Sequence, residues 1–282
     1  MLLSFLAVLA AAISGCICYA FGAFLSHFWL LWLPLCFLGC FLALAALTFF
    51  AIWFLCAIVD LNKPQEKDNK FYRFLVSLLA KAAMRIMLMK VHTRGLELTP
   101  KSGRFFLVCN HINDMDPVTL MAYFSQCQLA FITKRENMSM FLVGKLMHKI
   151  LCQPINREND REALKTILKC IDLLNKDMAS VAAFPEGYTS VDGKLHHFRH
   201  GIFKIAQRAK VPIVVCTLQN TNKVFKNAAR LRSTEVHLHL LLVIQPEEYA
   251  GMTTVQLGEW IHTMMAEDLG PDLVLQDTEE KA

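Results

Sequence analysis

Residues 104–117 read Arg-Phe-Phe-Leu-Val-Cys-Asn-His-Ile-Asn-Asp-Met-Asp-Pro. An apolar run of this length, closed by a polar turn, suits a strand buried on both faces. Helical spacing follows it, and the same alternation continues down the chain. Strands are expected at Arg104–Cys109, Leu129–Thr133, Ser180–Phe184, Pro212–Leu218 and Glu235–Ile244. Helices are expected at Pro117–Gln126, Met138–Ile150, Asp160–Lys176, Gly201–Ala209 and Thr253–Asp268. This is an α/β domain around a largely buried sheet.

Upstream of it the chain changes character. Residues 1–59 contain no Lys, Arg, Asp or Glu, so all 29 basic and 24 acidic residues lie in 60–282. The whole chain is 55% hydrophobic, above the roughly 45–50% apolar content of a soluble domain. A simple soluble protein and a disordered tail are excluded, and so is a polytopic transporter, because the excess sits at one end. Leu2–Leu25 and Phe28–Val59 are uncharged runs of 24 and 32 residues, each longer than the roughly 20 that a span needs. Ser26 and His27 separate them. Trp29, Trp32 and Pro34 mark an interfacial turn, with the second helix expected to begin near Pro34. Lys63, Lys67, Lys70 and Arg73 follow the second run and place that end in the cytoplasm. Residues 1–59 are thus read as a membrane-embedded helical hairpin, either spanning or dipping into one leaflet. The globular domain lies on the cytoplasmic face, at the inner or plasma membrane in a bacterium.

Residues 60–95 are read as a linker and a basic amphipathic interfacial helix. Lys70, Arg73, Ser77, Lys81 and Arg85 fall within an arc of about 120° on a helix. Apolar residues fill most of the rest, which suits a helix lying on anionic lipid. The globular domain is placed at 96–269 and a flexible tail at 270–282. The ten cysteines include no CxxC and read as small buried hydrophobes.

Two short motifs can carry chemistry. In Asn110-His111 the histidine stands at a strand end, and Asp116 can turn back onto one imidazole nitrogen. That fixes the tautomer and leaves the other nitrogen free as a base. Asp116 before Pro117 equally fits a helix N-cap with proline at the first position, and Asp114 is a rival partner for the histidine. Phe184-Pro185-Glu186-Gly187 also follows a strand, where glycine allows close approach of backbone to a ligand.

Taken together these residues resemble the PlsC-type 1-acyl-glycerol-3-phosphate acyltransferases. Asn110-His111 with Asp116 is similar to their NHxxxxD motif, and Phe184–Gly187 to the start of their FPEGTR motif. Ile155-Asn156-Arg157 resembles an intervening block ending in arginine, and Val211-Pro212-Ile213-Val214 a later VPIVPV block. The resemblance covers residues 90–245. It implies a mixed sheet flanked by helices, behind an N-terminal membrane-binding helical part. It further implies that His111 deprotonates a glycerol hydroxyl, which attacks an acyl thioester directly, while Asp116 orients the imidazole. No covalent acyl-enzyme, cofactor or metal is implied. Acyl-CoA or acyl-carrier protein is the implied donor. Glu186 and Gly187 are implied to hold the acceptor, and Arg157, with Lys134, its phosphate.

One position departs from the motif. The arginine of FPEGTR is Thr189 here, within Tyr188-Thr189-Ser190. The Thr189 and Ser190 hydroxyls can donate hydrogen bonds, and Arg199 or Lys204 can restore the missing charge. The expected reaction is acyl transfer to 1-acyl-glycerol-3-phosphate, giving phosphatidate. Transfer to another lyso-lipid or to glycerol 3-phosphate is the alternative, and a non-catalytic lipid-binding membrane protein is a second. His196, His197, His200 and His111 have no ligand spacing that suits a metal, and His237 and His239 read as structural. The basic residues are assigned to lipid and phosphate rather than to nucleic acid.

Overall fold

The computed structural model describes residues 2–275 except 66, 158 and 191. It divides into two compact units, Met1–Lys63 and Pro64–Ala282.

In the first unit, helices α1 (Leu2–Ala20) and α2 (Trp29–Ala57) pair as a hairpin. Gly22, at φ 63°, reverses the chain ahead of a short 3-10 turn. Both helices are long and apolar enough to cross a membrane. Leu47, Phe50, Phe54 and most of their neighbours on α2 face outward, a surface that hydrocarbon solvates and water does not. The second helix starts at Trp29 rather than near Pro34, because Trp32 already bonds back to the Phe28 carbonyl at 3.1 Å. Proline this close to a helix start removes a single backbone hydrogen bond.

The second unit opens with α3 (Lys70–Ile86), capped by the Asn69 side chain, which accepts from the Tyr72 N–H. Its strands are β1 (Met89–Arg94), β2 (Phe106–Cys109), β3 (Leu129–Lys134), β4 (Gln153–Ile155), β5 (Ser180–Ala183), β6 (Ile213–Gln219) and β7 (Thr234–Ile244). They form one mixed sheet in the order β1-β7-β6-β2-β5-β3-β4. Strands β2 to β6 run parallel, while β7 pairs antiparallel with β6 and parallel with β1. Between them lie α4 (Met115–Tyr123), α5 (Arg135–Ser139), α6 (Phe141–Lys149), α7 (Asp160–Asn175), α8 (Lys204–Ala209), α9 (Val224–Ala228) and, last, α10 (Thr254–Leu269). Phe106, Val108, Val181 and Ile213 pack with Leu173 of α7, Ile205 of α8 and Ile261 of α10. The alternate residues Leu107, Ala182 and Val214 are fully buried as well, so both faces of the central strands are covered.

Several expectations shift. Strands β1 and β4 were not foreseen: β1 is mostly exposed at a sheet edge, and β4 has three residues, so neither carries a buried apolar run. Because β1 belongs to the sheet, the stretch 60–95 is no mere linker, and the compact unit begins at Pro64. Met140 divides the expected helix 138–150 into α5 and α6, its extended backbone breaking the helical path. Arg73 leaves the basic arc of α3. Its guanidinium pairs with Asp68 and donates to the carbonyls of Leu129 and Ile150, so it ties α3 to the domain. The exposed arc of α3 instead interleaves Lys70, Lys81 and Arg85 with Phe71 and Phe74. The first part of the expected tail is bound: Leu195 donates to Leu273, and Leu275 to Leu195. Residues 276–282 of that tail lie outside the described residues.

Candidate active site

Five parallel strands end at one edge of the sheet, and the sequence places its chemistry there. His111 lies just past β2, Lys134 ends β3, Arg157 follows β4, Glu186 follows β5 and Thr221 follows β6. Carboxyl ends of parallel strands are where α/β sheets open a crevice. Asn110 anchors the first loop by pairing like a strand residue: its side chain donates to the Leu218 carbonyl and accepts from the Leu218 N–H.

His111 Nδ1 lies 3.0 Å from Asp116 Oδ2. The same oxygen accepts from the N–H groups of Ile112 and Asn113, both at 2.7 Å, and Oδ1 accepts from the Thr221 hydroxyl. Asp116 is completely buried. Every partner donates to it, which makes Nδ1 the protonated nitrogen and leaves Nε2 as the acceptor. The N-cap alternative is resolved as well. Helix α4 begins at Met115 with Asp114 at its cap, so Asp116 points into the preceding loop rather than capping the helix. Asp114 is exposed and takes no part in the pair. Phe184 stacks on the imidazole, ring centroids 4.1 Å apart and planes 16° apart, and fixes its plane from one side.

Glu186 is placed differently from the resemblance's expectation. It is 1% exposed, and its two oxygens accept from the N–H groups of His111 at 2.7 Å and His196 at 3.1 Å. Both oxygens thereby lace the 184–199 loop to the end of β2. Burial pushes its carboxyl up to about 8, against the pull of those two hydrogen bonds.

Gly187 has φ +84°, and a Cβ there would stand 2.7 Å from Arg199 Cδ. The glycine thus gives the Arg199 stem room to lie across the motif. Arg199 Nη1 reaches the Arg157 carbonyl at 3.5 Å. Burial depresses the half-buried Arg157 guanidinium, the nearby Arg199 charge depresses it further, and Glu136 partly offsets both. Two like charges at a strand-end rim favour an anion between them. Lys134 stands on the same edge, exposed, 3.8 Å from Glu136. Lys204 is exposed at the start of α8, and its side chain makes no ion pair or hydrogen bond among the described residues. Of the two substitutes for the motif arginine, Arg199 is the one beside the motif.

Thr189 does not face away as a simple acceptor contact. Its Oγ1 lies 2.9 Å from His111 Nε2. Ser190 N–H donates to the His111 carbonyl at 2.8 Å. Neither contact has a signal in spacing, nor does the Thr221 bond, which joins residues 105 apart. The other histidines pair elsewhere. His196 bridges the Tyr188 hydroxyl at 2.8 Å and Asp192 at 2.9 Å, His200 meets Glu259, and His239 meets Asp268. Among the described residues no three His, Cys, Asp or Glu side chains are grouped to hold a metal ion.

Comparison with known proteins falls on the same stretch. The acyltransferase family pattern matches residues 90–219. A chloroplastic 1-acyl-sn-glycerol-3-phosphate acyltransferase of Brassica napus is 33% identical over 55% of this chain and 44% of its own length. One from Chlamydomonas reinhardtii is 31% identical over 76% of this chain and 63% of its own. The chain thus spans less than two thirds of the length of either relative. The crystal structure of the 1-acyl-sn-glycerophosphate acyltransferase PlsC from Thermotoga maritima superposes with a TM-score of 0.63 at 20% identity. That match covers 79% of this chain and 87% of the other, and it establishes the shared fold. Motif, geometry and relatives converge on the end of β2, within the stretch 90–219 that matches the acyltransferase family.

Proposed function

We propose that the chain moves an acyl group from an acyl thioester, acyl-CoA or acyl-carrier protein, to the free hydroxyl of 1-acyl-glycerol-3-phosphate, giving phosphatidate. One observation carries this reading: His111 has Nδ1 committed to a buried carboxylate and Nε2 turned to a hydroxyl at 2.9 Å. A base oriented in this way takes a proton from an alcohol as that alcohol attacks a carbonyl carbon. The Arg157 and Arg199 charges on the same edge suit a phosphate on the acceptor. The relatives' names point to the same acceptor. None of these steps calls on a cofactor.

The hairpin of the first unit is proposed to anchor the enzyme in the bilayer, with the catalytic unit on the cytoplasmic face. The exposed arc of α3, with Lys70, Lys81, Arg85, Phe71 and Phe74, is proposed to rest on anionic lipid. Thr189 in place of the motif arginine supports a second reading, in which the acceptor is another lyso-lipid.

The deciding experiment incubates purified protein with acyl-CoA and a panel of lyso-lipids and identifies the products by mass spectrometry. Phosphatidate as the main product supports the first reading. Another diacyl lipid selects the second, and the absence of any transfer refutes both.

A further inference from the structure

A neutral imidazole offers one lone pair, and in His111 that lone pair is already taken. Every group around Asp116 donates to it, so His111 keeps its proton on Nδ1, 3.0 Å from Asp116 Oδ2, and Nε2 is the acceptor. Thr189 Oγ1 lies 2.9 Å from Nε2 and donates into it. Phe184 covers one face of the ring, centroids 4.1 Å apart. A hydroxyl that is to lose its proton to His111 must come within about 2.6–3.2 Å of the same nitrogen. The Thr189 hydroxyl stands where that hydroxyl has to be, so the two exclude each other.

The backbone that carries Thr189 is tied on both sides. The Ser190 N–H donates to the His111 carbonyl at 2.8 Å, and Glu186 accepts from the His111 N–H at 2.7 Å. Further along the same loop the Arg199 N–H donates to the Pro185 carbonyl at 2.7 Å. Release of Nε2 therefore falls to the Thr189 side chain, by a turn about χ1 from one staggered position to another. Thr189 is half-buried, so its turned hydroxyl meets solvent or the arriving lipid. The neighbouring hydroxyl is committed elsewhere: Tyr188 bonds to His196 at 2.8 Å, and His196 to Asp192 at 2.9 Å. The position departs from the motif that this chain resembles, which has arginine there.

We propose that Thr189 is a specificity-determining residue: it occupies the base until a lyso-lipid displaces it, and so protects the acyl thioester from water. The inference rests on the acyl-transfer reading above and keeps its direct transfer. Water and the acceptor compete for one nitrogen. In hydrolysis, water gives a proton to Nε2 and its oxygen bonds to the thioester carbonyl carbon. The C–S bond breaks, the proton passes from Nε2 to sulfur, and a fatty acid and a thiol leave. In transfer the acceptor hydroxyl takes the place of water, and the product is an ester. Water can exchange only one hydrogen bond for another at Nε2. A lyso-lipid is also held by the rest of its structure, and that remote binding turns the side chain aside.

The test uses the full chain in detergent micelles. Free CoA release from palmitoyl-CoA is measured without acceptor, and transfer is then measured against lysophosphatidate concentration. Thr189→Ala should raise acceptor-free hydrolysis about two- to tenfold, the worth of one neutral hydrogen bond. It should lower KM for lysophosphatidate by a similar factor, with no fall in kcat. Thr189→Ser keeps the hydroxyl and loses the methyl group, so it should restore the wild-type pattern in both assays. Equal melting temperatures would separate these effects from folding. Hydrolysis by Thr189→Ala that is no faster than wild type would overturn the inference and leave the acyl-transfer reading intact. A hundredfold fall in its kcat would also overturn it, because the hydroxyl would then carry the acceptor's proton to His111. Thr189→Ser behaving like Thr189→Ala would overturn it as well, by assigning the effect to bulk. Faster hydrolysis by Thr189→Ala, in a protein that transfers to no lyso-lipid, would support Thr189 as the cover of the base while refuting the acceptor assignment.

Discussion

The hydroxyl of Thr221, at the end of β6, closes the last open side of the Asp116 carboxylate, 105 residues earlier in the chain. Both residues are fully buried. The orientation of the His111 imidazole thus depends on two neighbouring strands keeping their register. Thr221→Val leaves a buried carboxylate oxygen without its partner, a loss of about 1–3 kcal/mol. The expected result is a lower melting temperature and a reduced kcat, with KM for the lyso-lipid little changed. An unchanged kcat would show that Asp116 is held well enough by the backbone N–H groups alone.

His111→Ala should lower acyl transfer by about 10²–10⁴-fold or more while circular dichroism stays native. Asp116→Asn offers an amide donor among groups that already donate, so it should lower both kcat and stability. Near-wild-type turnover by either variant would remove that residue from the chemistry.

Arg199→Ala should raise KM for a phosphate-bearing acceptor about ten- to a hundredfold, the worth of one charged hydrogen bond. Gly187→Ala should mimic it, since a Cβ at φ +84° strains the backbone and meets the Arg199 stem at 2.7 Å. Lys204→Ala should have little effect, because the exposed Lys204 side chain makes no hydrogen bond or ion pair among the described residues. Kinetics with lysophosphatidate and with a phosphate-free lyso-lipid, measured side by side, would check all three. A Lys204→Ala defect larger than that of Arg199→Ala would reassign the charge.

Burial lifts the Glu186 carboxyl from 4.5 to about 8. Between those values the native protein holds a proton that the unfolded chain has released. Stability from this group therefore falls as pH rises through that window. Glu186→Gln removes the titration, so its melting temperature should change less than that of the wild type between about pH 5 and 8. Parallel pH dependences in the two proteins would show that Glu186 is ionised throughout.

A chain beginning at Pro64 should still float with anionic liposomes through the exposed arc of α3 and detach as salt rises. Lys81→Glu with Arg85→Glu should abolish that binding. Arg73→Ala should instead lower stability, since Arg73 is committed to Asp68 and two backbone carbonyls. Equal binding to neutral liposomes at high salt would contradict the electrostatic part of the proposal.

What the sequence by itself determined lies in patterns a few residues wide. The runs around Phe106, Val181 and Val214 are strands because buried β residues are apolar at every position, and the charge-free first 59 residues announced the hairpin. His111 and Asp116 were legible as a pair because five residues of loop are enough for one to turn back to the other. Tertiary structure decided whatever depends on separate segments meeting. It selected Asp116 over Asp114, since only the buried carboxylate reaches both the loop N–H groups and Thr221. It turned Glu186 inward onto two backbone N–H groups, and it laid the Arg199 stem against Gly187 of the motif. It took Arg73 from the lipid-facing arc and made it a tie between elements. It also brought the Thr189 hydroxyl to the free nitrogen of His111. The physical reason is common to these cases. Local pattern reports which face of an element is apolar, but a polar side chain's partner is set by which strands lie side by side, and that order appears only once the sheet has closed.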